Sequence, residues 1–377
     1  MKQDFRDVVE LRDKVIENQS LKRDFMDDIR SIHMSSGEDG NYIHLSKYDR
    51  MSVDRHALGQ MGSWAKIPYN YIKTMDDNRR YDLLAENFNS WFKNPVNDSR
   101  TRKMFRGMVS PWEIDANVKE LKVFGKDEQK EKIRIRSFHS NRYSIFDHED
   151  LLSVAMPAID ELEEDFELKS SSITNSKMYM KLLFPETEGK VVGDTVQLGL
   201  SITNSEIGLG SISVQPLIYV LRCTNGMVLP ASGIKKRHIG SVLENDGLIE
   251  YKDDTRKIAK EFHSKKTRDS IKSVVDGLFN GEILRSLNES ADSKRVDNPQ
   301  KAIEKITELF SLDKKESEGT TRAFWKERDL SKWGMANAVT EIANTHSSYD
   351  RASELESIGG KIINMHESEW SRIALAA

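Results

Sequence analysis

The chain has 377 residues, with 57 Lys and Arg against 61 Asp and Glu, and a net charge of -4. That length can bury a sizeable core in two or three domains, while the slight acidity excludes a protein that coats nucleic acid through bulk positive charge, so any such site must be a local patch. The single cysteine, Cys223, excludes an intrachain disulfide and a Cys-rich zinc site, and beside apolar strand residues it reads as a buried, inert thiol. The charged start, Met1 to Asp7, carries no targeting signal, and no apolar run approaches the roughly 20 residues of a membrane span. A cytoplasmic protein is therefore expected.

Residues 3–33 space Phe5, Val8, Leu11, Val15, Leu21, Phe25, Met26 and Ile29 by threes and fours, which predicts one or two helices. A short strand is expected at 42–45. A helix then starts with Ser52 as N-cap and ends near Pro68, because the residue before a proline is pushed away from helical angles. A further helix over 68–92, interrupted at 76–78, completes a mainly helical N-terminal region, residues 1–125. Next, 133–138 alternates, placing Ile133 and Ile135 on one face and Arg134, Arg136 and Phe138 on the other. Residues 148–165 read as an amphipathic helix with an acidic second half. Three strands follow: 177–184, with Met178, Met180, Leu182 and Phe184 opposite Lys177, Tyr179 and Lys181; then 196–204; then 211–221, where Pro216 suggests an edge position or a bulge. Helical spacing resumes over 251–290, breaks at 291–299, and continues through 300–312, 321–345 and 349–375. The expected fold is α+β: a helical N-terminal region, a central antiparallel sheet packed on helices in the order helix-strand-strand-strand-helix (core, 126–290), and a helical C-terminal region (291–377).

Two clusters could meet a polyanion. Arg134, Arg136, Arg142, Tyr143, Lys177, Tyr179 and Lys181 interleave cations with aromatic rings, as single-stranded nucleic acid requires, since cations track phosphates and rings stack bases. The plainer alternative is the solvated face of a half-buried sheet, with Tyr179 in a cross-strand pair. The second cluster lies in the run 207–243, which contains no Asp or Glu. Its cations, Arg222, Lys235, Lys236 and Arg237, are either phosphate contacts or a charged loop after the sheet. The loop 204–211 carries Gly208 and Gly210 but lacks the ending of a phosphate-binding loop and opens no helix, so a hairpin is expected. Asp147, His148, Glu149 and Asp150 point in different directions on a helix, and capping by Asp147 accounts for them better than a metal. No metal-ligand pair or nucleophile motif occurs, so no catalytic residue, metal or cofactor is assigned.

Several segments taken together resemble a phage and plasmid protein family known only as domain of unknown function 932. They are Ala57-Leu58-Gly59-Gln60, Leu83-Leu84-Ala85-Glu86-Asn87, the stretch Arg136 to Tyr143, Asn204 to Gly210, Arg222 to Met227, Trp333 to Thr340, and Tyr349-Asp350-Arg351-Ala352. One departure is Asn141, where the family pattern has Asp before the Arg-Tyr pair, which puts in doubt any role for that acid. The resemblance implies a mobile-element context but no activity. The helix-strand-strand-strand-helix order is similar to the core of the Rad-fifty-two-type single-strand annealing proteins, an analogy of topology alone. On this basis the leading expectation is a non-enzymatic protein that binds and anneals single-stranded DNA, with RNA as the alternative ligand, as an ATP-independent homo-oligomer, ring or filament, in recombination. The competing expectation is a protein-interaction module acting on a host or competitor protein, using the acidic segment 160–167 and the helical C-terminal part. A nucleic-acid enzyme is a third reading.

Overall fold

The computed structural model describes residues 3–5, 7–46, 48–93, 102–109, 133–140, 143–222, 224–230 and 253–375. Cys223 and the expected boundary near residue 125 lie outside them, and the boundary near 290 falls at the end of a helix. In chain order the first elements are Gln3–Phe5 (β1), Val8–Leu21 (α1), Lys22–Asp28 (β2), His33–Ser36 (β3), Asn41–Leu45 (β4) and Tyr48–Val53 (β5). Arg55–Ala65 (α2), Tyr69–Asp77 (α3), Tyr81–Lys93 (α4), Arg102–Val109 (β6), Ile133–Ser140 (β7) and His148–Asp160 (α5) follow. Then come Glu167–Ile173 (β8), Met178–Val191 (β9), Asp194–Asn204 (β10), Ser213–Val220 (β11), Asn225–Val228 (β12), Asp253–Phe279 (α6) and Glu282–Ala291 (α7). The last are Pro299–Phe310 (α8), Lys314–Glu327 (α9), Lys332–Glu341 (α10), Tyr349–Ile363 (α11) and Glu367–Ala374 (α12). The class is α+β, as expected, with helices towards both ends and two six-stranded sheets between. Among the described residues no helix is long and apolar enough to cross a membrane.

The chain forms two compact units. One, residues 14–145 with 237–260, holds a sheet in the order β2-β6-β7-β5-β4-β3, antiparallel except where β5 runs parallel to β7. Its apolar face packs on α2 to α4 through Phe25, Ile43, Phe88, Phe92, Phe105 and Phe138. Residues 22–28 are a strand here, not a helix, because β2 pairs with β6 along its whole length and that ladder overrides a local spacing that fits a helix. The N-cap of α2 is Asp54 rather than Ser52. In β7, Ile133 and Ile135 are buried and Arg134 is exposed, as the alternation predicts. Phe138 differs: it joins the same core as Ile135. The pairing of β6 with β7 slips at Arg106 and Gly107, a bulge that skips Arg136 in the register and moves each later side chain to the opposite face.

The other unit, residues 1–13, 146–236 and 261–377, holds the sheet β1-β8-β9-β10-β11-β12, with every described pairing antiparallel. The three expected strands form its centre, and β1, β8 and β12 extend it. One face is apolar, with Met180, Leu182, Leu198, Leu200, Ile202 and Val214 all buried. The opposite face is polar at one end and apolar at the other, where Leu183, Leu217, Tyr219 and Val228 cluster. Pro216 is not on an edge strand. It lies just beyond the stretch of β11 that β12 pairs, so the missing N–H interrupts no bond on that side.

Asp147 sits at the N-cap of α5, as expected, and its backbone N–H donates to Asp150 (3.0 Å). The 204–211 loop joins antiparallel β10 and β11, and its Glu206 carboxylate reaches back to accept the His148 backbone N–H in the first turn of α5 (2.9 Å). Helix α10 is buried along nearly its whole length, and α11 packs beside it and against β12. The approach of α11 to β12 is set by Gly360: a Cβ there would run into the backbone carbonyl of Val228. Gly360→Ala is therefore expected to lower unfolding free energy by about 1 to 3 kcal/mol, the usual range for overpacking, measured by urea denaturation. Gly277→Ala meets nothing within 4 Å and is expected to leave stability unchanged or raised.

Candidate functional site

Where the polar end of the second sheet meets α11, side chains from the strands and the helix enclose a groove of about 580 Å³. This volume lies in the range of small-ligand sites. Strand alternation builds the floor. Thr203 stands opposite both Tyr179 and Ser213, and Ser201 stands opposite both Lys181 and Gln215, so these six side chains share one face across β9, β10 and β11. Helix α11 forms the wall, with Asp350, Ser353 and Ser357 on one side.

A buried polar network docks that helix. The Lys181 ammonium donates to both Glu356 carboxylate oxygens, at 2.7 and 2.5 Å. The Asp350 carboxylate accepts from the Tyr179 hydroxyl (2.7 Å) and the Thr174 hydroxyl (2.9 Å), and the Tyr349 and Ser170 hydroxyls share a bond of 2.8 Å. Arg351 turns the other way and grips Glu316 with two bonds of 2.7 Å, and Glu354 with a third of 2.6 Å. The first of these contacts holds the Glu316 carboxyl below its ordinary pKa. Burial alone would lower the Lys181 pKa, but the Glu356 charge more than offsets it and holds the value above the ordinary 10.5. Burial, and then the bond to Asp350, push the Tyr179 phenol above its ordinary 10.0.

Against this satisfied network the floor stands out. Among the described residues, the side chains of Ser201, Thr203, Ser213 and Gln215 make no hydrogen bond, although Ser201 is 4% and Ser213 8% exposed. The Ser353 hydroxyl oxygen on the wall is also buried and without a partner. Buried polar groups are nearly always paired, so the unpaired Ser353 oxygen, beside hydroxyl and amide groups that open onto the same concavity, marks a place for a polar ligand or ordered water. At one end of the groove lies Lys177, half-buried, with its chain end against Gly210 and no carboxylate partner among the described residues.

The expected nucleic-acid contacts are therefore redistributed. Lys177 alone of them reaches the groove as a cation with no counter-charge. Tyr179 also lines the groove, but it is buried and tied to Asp350, so no ring face is open to a base. Lys181 is buried under α11 with its charge matched by Glu356. Arg134 pairs with Asp54 (2.8 Å), and Arg136 lies beside the same carboxylate. Tyr143 is 4% exposed and stacks on His139 at 3.8 Å between centroids. Arg222 pairs with Glu327 and with Asp194 (3.4 Å). Strands β7 and β9 belong to different sheets, so the expected single face of cations and rings does not form on one sheet. Arg142, Lys235, Lys236 and Arg237 lie outside the described residues. No group of three or more potential metal ligands occurs among the described residues. Sequence reasoning missed the floor, although the polar half of the 196–204 alternation, Ser201 and Thr203, was the available signal.

Breaking the pair on either side leaves an uncompensated buried charge. Lys181→Met and Glu356→Gln are each expected to cost about 3 to 5 kcal/mol, and Lys181→Met with Glu356→Met together to recover most of it, read from urea denaturation. Because Lys181 and Tyr179 both hold their protons more tightly when folded, their contribution is complete below about pH 10 and is lost as pH rises further. The thermal midpoint is expected to fall above about pH 10, and to fall less steeply in Tyr179→Phe.

No curated protein and no solved structure matches the chain. Residues 136–359, more than half of it, match the family described as Domain of unknown function (DUF932). That match takes in the floor strands β9 to β11, Lys177 and all of α11 except its last residues. The protein belongs to the DUF932 family.

Proposed function

We propose that the chain is a non-enzymatic single-strand nucleic-acid-binding protein of phage or plasmid type, acting without ATP as an oligomer that anneals strands, and that the groove beside α11 is its strand site. The observation that carries this reading is the placing of one ammonium that has no ion-pair partner among the described residues, Lys177, beside a floor of unpartnered hydroxyl and amide groups. A sugar-phosphate backbone presents the complementary set: an anionic oxygen for the ammonium and ether, ester and hydroxyl oxygens for the floor. The mobile-element context and the annealing role draw their support from the family resemblance and from the central position of the three strands in their sheet. Because Arg134, Lys181 and Arg222 are matched by carboxylates, this reading leans on few charges.

A second reading, a protein-interaction module, draws on a different cleft of about 500 Å³, lined by Arg222, Arg295 and Arg328 together with Asp194, Glu327 and Asp329. Paired charges of both signs at a surface suit a polypeptide whose own charges can exchange with them. Partners from a bacterial lysate that survive nuclease treatment and are lost with Arg328→Glu support it.

Fluorescence anisotropy with a labelled oligonucleotide tests the first reading. Binding is expected at about 50 mM salt and should weaken as salt rises, because each phosphate contact releases counterion. Lys177→Gln should weaken binding and make the slope of log affinity against log salt shallower by about 0.7, the share of one contact on a single strand. No binding at low salt removes the reading, and an unchanged slope moves the strand away from the groove.

A further inference from the structure

The chemistry of the groove floor goes beyond phosphate recognition. Resting on the strand-binding reading, we infer that this floor selects ribose over deoxyribose, so that the ligand is single-stranded RNA.

Three hydroxyls and one primary amide, from Ser201, Thr203, Ser213 and Gln215, stand side by side on β10 and β11, fixed in register by the strand ladder. Each hydroxyl offers one donor and two acceptor sites, and the amide offers two donors and an acceptor. None is spent on the protein itself among the described residues. The surrounding network shows the contrast: Tyr179, Thr174, Lys181 and Ser170 on the same end of the sheet are all bonded to α11. The floor is thus left free while its neighbours are committed, and Ser201 and Ser213, otherwise largely buried, line the groove.

What such a floor rewards is a ligand group that both donates and accepts. The ribose 2′-hydroxyl does both, and it is the group by which proteins distinguish RNA from DNA. A deoxyribose turns a methylene to the same place, which displaces water from the serines without replacing its hydrogen bonds. Lys177 at the end of the groove gives the phosphate a fixed point, so the sugar next to it is held over the strands. Aromatic stacking has no part in this arrangement, because the Tyr179 ring is buried against Tyr349, at 5.0 Å between centroids. The bases therefore point away from the floor, and recognition is independent of base identity.

The test compares labelled oligouridylate with oligodeoxyuridylate of equal length, so that the 2′-hydroxyl is the only difference, by anisotropy at about 50 mM salt. The ribo strand is expected to bind about tenfold more tightly, the net worth of one or two hydrogen bonds to the 2′-hydroxyl. Ser213→Ala and, separately, Thr203→Val change little in shape, and thermal melts confirm that each is folded. Each should reduce the ratio of ribo to deoxyribo affinity, and the pair together should bring it close to one. Equal binding of the two strands by the unaltered protein overturns the ribose inference and leaves strand binding standing. Failure of both strands to bind overturns the strand reading and this inference with it. Uridine monophosphate, used as a competitor, separates a strand from a free nucleotide. Displacement only by the ribo strand supports the inference, whereas full displacement by the mononucleotide at equal concentration overturns the assignment to RNA.

Discussion

The second sheet depends on one buried ion pair. Lys181 projects from near the start of the long strand β9 onto a face that α11 covers, and its charge survives there because Glu356 of that helix meets it with both oxygens. Desolvating two charges costs several kcal/mol each, so the pair contributes little to net stability, and the value of the pair lies in position. An ammonium with one carboxylate in reach fixes the register of α11 along the strand. Asp350, about one and two-thirds turns earlier on the helix, then falls opposite Tyr179 and Thr174. Gly360 at the other end lets the helix backbone approach β12. The groove is what remains between these fixed points, a strip of sheet that the helix spans without touching.

Charge compensation is the wider pattern. In the first unit Arg106 is buried against Asp24 (3.1 Å), Arg134 is held by Asp54, and Lys103 lies 3.6 Å over the ring of Trp64. In the second, Arg222 is shared by Asp194 and Glu327. A protein with a net charge of -4 and so many committed cations projects little positive field, so long-range steering of a polyanion has to be weak. Short-range hydrogen bonding must supply the discrimination in such a molecule. On the strand-binding proposal, the hydroxyl floor is the part that supplies it, and it acts only after contact.

Much of this was legible in the sequence, in a way that the physics explains. The alternation in 177–184 and 196–204 identified which side chains share a face of the central strands, because the pleat imposes a period of two whatever the rest of the fold does, although residues 178–184 are buried on both faces. The spacing from Leu21 to Ile29 fitted a helix equally well, and only the ladder with β6, some 80 residues away, decides for a strand. Phe138 followed the alternation on paper and broke it in space, since a bulge is a property of two strands and cannot be seen in one. The partners of the cations were hidden for the same reason. Glu356 is 175 residues from Lys181, and no local charge count brings them together. The serines of the floor were visible as the polar half of a strand pattern, but their meaning depends on which of their neighbours α11 satisfies and which it leaves alone.

The pairing of β1 with β8 has a consequence for how the molecule is made. Gln3 lies opposite Ile173 and Phe5 opposite Ser171, so β1 waits for a partner that leaves the ribosome about 170 residues later. At about 5 to 20 residues per second that interval lasts on the order of ten seconds or more. Throughout it, the edge of β1 is an unpaired template. β8, in turn, presents a bare edge in any chain whose β1 is displaced. β1 therefore acts as a closing strip for the finished sheet, and a change that displaces it would be felt first as edge-to-edge association of copies, well before any loss of the core.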